Sequence, residues 1–313
     1  MKQILRWLIL GGTLFFLGKA VKDHWLEVTE IRIDDVGWAI LAIATGVTLL
    51  AHTWAGWIWT WILRELNQPV PSSQFIQVYL KTNIAKYLPG NVWHYYGRIV
   101  AAKNASIPAG TATLSVLLEP LLMAAAALII IDLFGSQVAM ASRPPEAIAN
   151  SNFAVQSLQF ISLAVILCAV HPWFLNPVIR FLYRLKRQKS DTNTQPIISL
   201  TIERYPLRPL LGELIFLGLR GAGFILTIYA LSPLNVSQIP LLLGAFSFAW
   251  LLGLIVPGAP GGLGVFEATA IALLQNRFPA ALVISAIALY RLISILAETA
   301  GAVLAWLDER LAN

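Results

Sequence analysis

Residues 256–270 read VPGAPGGLGVFEATA. Pro257, Gly258, Pro260, Gly261 and Gly262 break any helix, Gly264 follows, and Glu267 adds a carboxylate. Apolar runs flank the stretch at 238–256 and 279–307, and each approaches or exceeds the roughly 20 residues that a membrane span requires. The stretch therefore reads as a helix interrupted at membrane depth. Non-helical backbone is tolerated there only if it is buried in protein or lines water. A half-helix starting near Gly262–Gly264 would present free N–H groups and a positive dipole end, an anion site. Glu267, in its first turn, is read either as a cap on that end or as a group that handles substrate or protons.

The rest of the chain has the same character. Of 313 residues, 58% are hydrophobic and 12% charged, and the mean hydropathy is +0.71. These values lie outside the soluble range and indicate an integral membrane protein. Further apolar windows cover residues 4–20, 36–63, 106–134, 153–171 and 209–231. The class is all-α, because a helix satisfies its own backbone in lipid and the pattern lacks the alternation of a barrel. Lys2 and Arg6 precede the apolar run of the first window, and no small-residue cleavage site follows it, so it reads as a retained anchor.

Several classes are excluded at this point. Cys168 is the single cysteine, so there is no disulfide framework and no cysteine-based metal site. His24, His52, His94 and His171 lack metal-ligand spacing, and neither metal nor cofactor is expected. The glycine-rich stretch has no preceding strand and no following Lys-Ser/Thr, which rules out a nucleotide loop. The net charge of +6 reports orientation across a membrane; no nucleic-acid partner is expected.

Arg180, Arg184, Lys186, Arg187, Lys189, Arg204 and Arg208 crowd the connector at about 172–207, which the positive-inside rule places in the cytoplasm. Its NPVIRFLYRLKRQK part reads as an amphipathic helix on the inner leaflet or as a plain solvated connector. Working outward, Gly135–Asn152 and Ser232–Ser237 fall outside. Both termini come out cytoplasmic in the plasma or inner membrane, provided that two segments enter and leave on one side.

One is the 256–270 stretch with its flanks. The other, FIQVYLKTNIAKYLPGNVWHYYGRIVAAKN, is broken at Pro89 and Gly90. In each, a second proline follows 19 residues after the break, Pro108 after Pro89 and Pro279 after Pro260. The helices that these prolines start carry Glu119 and Arg291 at offsets of 11 and 12. The spacing predicts about six full transmembrane helices plus two re-entrant hairpins in an inverted repeat. The repeat-like halves lie at about 73–134 and 238–307 of a single membrane domain, residues 1–313. Ordinary kinks in full spans are the alternative.

A charge in mid-span costs roughly 2.5 to 3.5 kcal/mol even on lenient scales, so it faces a protein interior or a wet cavity. Glu119, Glu213, Arg220, Glu267, Arg291 and Glu298 are such groups. Glu213 and Arg220 are seven residues apart on one helix, and Arg291 and Glu298 are seven apart on another, so each pair shares a face. The two helices run in opposite directions, which puts both arginines near mid-depth. As neighbours they would turn two guanidiniums toward one cavity, suited to a phosphate-bearing headgroup. Arg–Glu pairs that tie helices together are the structural alternative. Around the first break, Lys86, Arg98, Trp93, Tyr95 and Tyr96 suit headgroups or serve as interface anchors. Trp54, Trp57, Trp59 and Trp61 read as an interfacial belt.

KYLPGNVWHYYGR, the Glu119 helix and PGAPGGLGVFEA together resemble the transmembrane domain of lysylphosphatidylglycerol synthases and flippases, over about residues 5–308. The resemblance implies a lipid-translocating membrane domain with inverted repeats. It maps the family's breaks to Pro89, Gly90, Pro260, Gly261, Gly262 and Gly264, and its polar positions to Arg98, Glu119, Glu267 and Arg291. A full synthase adds a soluble aminoacyl-transferase domain after the membrane part, whereas this sequence ends at Asn313. The expectation is accordingly a non-enzymatic lipid transporter that moves a phospholipid or a polyprenyl-phosphate-linked lipid between leaflets.

The headgroup contacts expected are Arg98, Glu119, Arg220, Glu267, Arg291 and Glu298. Membrane lipids are the expected partners, with a second copy of the chain or an envelope enzyme left open. One alternative is a membrane glycosyltransferase using a lipid-phosphate sugar donor, with Glu30, Asp34 and Asp35 in an acidic outer loop. Another is a non-transporting partner of an envelope enzyme.

Overall fold

The computed structural model describes residues 32–88, 92–142, 152–174, 176–177, 204–256 and 259–312. The expected first helix at 4–20, the Pro89–Gly90 break and most of the connector lie outside the described residues.

Among the described residues every regular element is helical. In chain order they are α1 (Asp35–Glu65), α2 (Ser72–Asn83), α3 (Trp93–Asn104), α4 (Ala109–Ser142), α5 (Asn152–Val170), α6 (Leu207–Tyr229), α7 (Ile239–Ile255), α8 (Val265–Leu274) and α9 (Ala280–Ala312). Single 3-10 turns at Ile84–Tyr87, Val236–Gln238 and Pro260–Gly262 join them. Among the described residues five helices are long and apolar enough to cross a membrane: α1, α4, α6, α9, and α7 with the turn before it. α4 continues beyond Gly135, where the sequence suggested a loop, to Ser142.

The helix ends follow from local chemistry. Asp34 caps α1 by accepting the Gly37 N–H at 2.7 Å. α1 and α3 both close with a Schellman motif whose left-handed residue is not glycine: Asn67 at φ 58 and Ser106 at φ 64. The reverse bonds run from Gln68 N to Leu63 O at 2.9 Å and from Ile107 N to Ala102 O at 3.1 Å. Pro71, Pro206 and Pro279 stand immediately before α2, α6 and α9, where a missing N–H costs nothing.

α1 packs along α6, and α4 along α7. Ala44, Ala51, Ala55, Ala112, Ala125, Ala126, Ala127, Ala245 and Ala249 are all fully buried. Small residues let helices approach closely where lipid supplies no hydrophobic drive between them. α9 crosses both α1 and α2. Its far end is tied to α2 by Gln77–Asp308 at 2.5 Å and Lys81–Glu309 at 2.7 Å. The tryptophan run divides: Trp57 is exposed, but Trp59 is fully buried and donates to Ser115 Oγ at 3.1 Å. Trp59 is thus part of the core rather than of a belt.

The turn Ile84–Tyr87, just before the first break, meets the turn Pro260–Gly262 of the second. A Cβ placed on Gly261 would lie 2.9 Å from Tyr87 Cε1, and one placed on Gly262 would lie 3.3 Å from Gly253 Cα. Gly261, Gly262 and Gly264 take φ values of 59, 73 and 84, a region that glycine enters freely and other residues resist. These angles explain the glycine-rich composition of the stretch.

Candidate functional site

Beside the Ile84–Tyr87 and Pro260–Gly262 turns, a cavity of about 130 Å³ opens among α1, α2, α3, α4, α6, α7, α8 and α9. Lys86, Arg98, Arg220 and Arg291 reach its wall, against one lining carboxylate, Glu119. Pro120, unremarked in the sequence, also lines it. As a proline within α4 it leaves the Val116 carbonyl without its helical donor beside Glu119.

Three of the four cations are neutralised by carboxylates on other elements. Arg98 Nη1 donates to Glu119 Oε2 at 2.8 Å, while Tyr79 Oη donates to the other oxygen at 2.7 Å. The Arg98 guanidinium also lies 3.6 Å from the Tyr79 ring centre. Lys86 Nζ donates to Glu298 Oε1 at 2.5 Å. Arg291 Nε donates to Glu267 Oε1 at 2.7 Å, its Nη2 contacts the same oxygen, and its Nη1 donates to the Gly261 carbonyl at 3.2 Å. The other oxygen of Glu267 accepts the Gly264 N–H at 2.6 Å. Glu267 therefore caps α8 and pairs with Arg291 at once, which joins the two roles the sequence left as alternatives.

Arg220 differs. Among the described residues it has no carboxylate within 4.0 Å, and its Nε has no partner. Its Nη1 lies 3.2 Å from His52 Nε2, and that same nitrogen lies 3.1 Å from Glu298 Oε1. One imidazole nitrogen cannot donate to a carboxylate and accept from a guanidinium together. The other face of the ring favours donation to Glu298. Asn83 Nδ2 is 3.3 Å from His52 Nδ1, and Asn83 Oδ1 is 3.5 Å from Arg98 Nη2. This arrangement makes Nδ1 the acceptor and leaves the hydrogen on Nε2, assigned from the network. The Arg220 guanidinium then faces the cavity with its hydrogen-bonding capacity unspent.

Arg220 is held in place by aromatic packing. Phe224, Phe246, Phe266 and Tyr290 stack on one another with ring centres 5.4 to 6.2 Å apart. Tyr290 Oη donates to the Arg220 carbonyl at 3.1 Å, and the guanidinium sits 5.2 Å from the Tyr290 ring centre. Arg291 lies 5.8 Å from the Phe266 ring.

Of the residues singled out in the sequence, Arg98, Glu119, Arg220 and Arg291 line this one cavity. Gly261 and Gly262 line it too, with Glu267 and Glu298 one bond behind it. Glu213 stands apart, fully buried with neither oxygen bonded. Lys86 and Tyr95, read as suiting headgroups or as interface anchors, line it as well; His52, Tyr79 and Asn83 complete the network and were not singled out as contacts. Their common signal, polar groups at helical spacing in otherwise apolar or interfacial runs, does not distinguish them from ordinary polar substitutions. No group of three potential metal ligands occurs among the described residues.

A search of curated proteins returned no match. A family model described as the lysylphosphatidylglycerol synthase TM region matches residues 3–301, nearly the whole chain. With its helices long and apolar enough to cross a membrane several times, this multi-pass membrane protein belongs to that family of lysylphosphatidylglycerol synthase transmembrane regions, which ties it to lipid-related function.

Proposed function

We propose that the protein moves a lipid with a phosphate-bearing headgroup between the leaflets of a cell membrane, without covalent chemistry. The observation that carries this reading is Arg220: a guanidinium on a cavity wall at membrane depth, positioned by Tyr290, with no carboxylate of its own. A buried cation left in this way is costly unless an anion completes it. The headgroup phosphate supplies that anion, with two oxygens for the planar fork.

The second support is architectural. α2 and α3 are 12 residues each, and α8 is 10, all too short to span. The connections at their tips touch through Tyr87 and Gly261. On this reading they are opposed re-entrant hairpins of an inverted repeat, and the headgroup site lies where they abut. Sliding the tips apart on one side and then on the other would expose the site to each leaflet in turn.

The test is reconstitution into liposomes carrying fluorescent lipids with phosphate-bearing headgroups, scored by the fraction accessible to an external quencher. Wild type should raise the accessible fraction with time, and Arg220→Gln should abolish the rise. Equal curves for empty, wild-type and variant vesicles across several lipid classes would overturn the proposal.

A further inference from the structure

A second groove, of about 460 Å³, lies away from the central cavity, between the last turns of α1 and the first turns of α6. Trp54, Trp61 and Leu211 supply its apolar walls, and Tyr205, Arg204 and Arg208 its polar ones. We infer that it binds one anionic phospholipid from the surrounding leaflet, holding the phosphate between Arg204 and Arg208 and an acyl chain along Leu211 and Ile215. It goes beyond the transport reading, since the two sites share no lining residue.

The argument begins with the cations. Arg204 and Arg208 are both exposed, and neither has a carboxylate within 4.0 Å among the described residues. Glu65 also lines the groove but lies within 4.0 Å of neither guanidinium. Arg208 rests 4.5 Å from the Trp61 ring centre, which fixes its charge at the groove while leaving its donors open.

The walls come next. Trp54 Nε1 is committed to the Gly212 carbonyl at 3.0 Å, so this indole turns its hydrogen-bonding edge into the protein. Trp54, Trp57 and Trp61 stack edge to face or tilted, at 5.4 to 5.6 Å. Gly212 has no room for a side chain, since a Cβ would meet Ile58 at 2.9 Å and Trp61 at 3.0 Å, so α1 and α6 close the floor. Leu211 and Ile215 are exposed and one helical turn apart, an apolar track leading from the guanidiniums along α6. Tryptophan, arginine and an apolar track meet at the end of a bundle, where bilayer hydrocarbon gives way to headgroups.

Such geometry selects for charge. An anionic headgroup satisfies two arginines that have no carboxylate partner among the described residues, each contributing at the membrane surface, whereas a zwitterionic choline headgroup brings its own cation. The experiment uses full-length protein in nanodiscs containing phosphatidic acid with a diazirine on one acyl chain, or phosphatidylcholine with the same chain, and maps photo-adducts by mass spectrometry.

Adducts on residues 54–65 and 204–215 should form with phosphatidic acid and fall about tenfold or more in Arg204→Gln/Arg208→Gln. They should be unaffected by Arg220→Gln. Because both substituted side chains are exposed, the variant's elution profile separates misfolding from lost binding, and high salt applied to wild type should weaken labelling without any substitution. Equal labelling by phosphatidylcholine, or labelling unchanged in the double variant or in high salt, would overturn the inference. Loss of transport in Arg220→Gln vesicles concerns the central cavity alone, so the two proposals fail separately.

Discussion

Tyr87 and Gly261, which lie 174 residues apart in sequence, are in van der Waals contact at the point where the two broken segments meet, and only a residue without a side chain fits there. A Cβ on Gly261 would sit 2.9 Å from Tyr87 Cε1, on a backbone already at φ 59. Gly261→Ala should therefore cost about 1–3 kcal/mol, from left-handed strain plus the clash. In a Tyr87→Ala background the clash disappears and the strain remains, so the alanine should cost less there. Thermal unfolding of the four proteins in detergent measures the difference, and equal costs in both backgrounds would show that the tips do not abut.

Glu267 serves two partners through two oxygens, and substitutions can separate them. Glu267→Gln keeps an oxygen to accept the Gly264 N–H but removes the charge that Arg291 requires. Glu267→Ala removes both and should destabilise more, by about 3 kcal/mol. Replacing both partners, Glu267→Ala with Arg291→Ala, should cost less than the two single changes added, because no largely buried charge is stranded. A double-mutant cycle of unfolding temperatures reports the coupling, and additive values would sink the pairing.

Glu213 is the reverse case. It is fully buried, and neither of its oxygens has a bonding partner. A polar group in that position subtracts from stability, and an apolar replacement of similar shape removes the penalty. Glu213→Met should therefore unfold at a higher temperature than wild type. A marked fall would mean that Glu213 makes a contact essential to the fold.

Much of this was legible in sequence because bilayers impose simple arithmetic. Apolar runs of sufficient length marked α1, α4, α6 and α9, and the cost of a mid-span charge marked Arg220 and Arg291 as groups facing an interior. Spacing alone could not show which charges would pair. The sevenfold spacing put Arg291 and Glu298 on one face of α9, yet each pairs with another element, Glu298 with Lys86 and Arg291 with Glu267. Lys86 and Glu298 are 212 residues apart, and Arg291 and Glu267, 24 apart, sit on separate helices, so neither pairing follows a local period. His52 was read only as one of four histidines without metal-ligand spacing; its position between Asn83, Glu298 and Arg220 is a tertiary fact. The tryptophan run misled in part for a related reason: Trp57 and Trp59 are two residues apart, on roughly opposite faces of one helix, and which of them faces the core depends on where α4 packs.

The sharpest distinction lies between two arginines that composition treats alike. Arg98 is almost fully buried, and Glu119 depends on it, so Arg98→Gln leaves a carboxylate held by Tyr79 alone; the loss should approach 3–5 kcal/mol. Arg220→Gln strands no carboxylate, because none among the described residues is paired with it. Its unfolding temperature should stay close to wild type, with a change within about 1 kcal/mol. What it loses is the charge-assisted contact to a phosphate, worth about 1.5–3 kcal/mol, or roughly 10- to 150-fold in headgroup binding. Unfolding curves and liposome translocation measured on the same preparations decide the matter. A stable Arg220→Gln that no longer moves lipid supports the cavity as a headgroup site. A variant that unfolds like Arg98→Gln would reassign Arg220 to holding the bundle together, and a stable variant with full transport would remove it from the path of the headgroup.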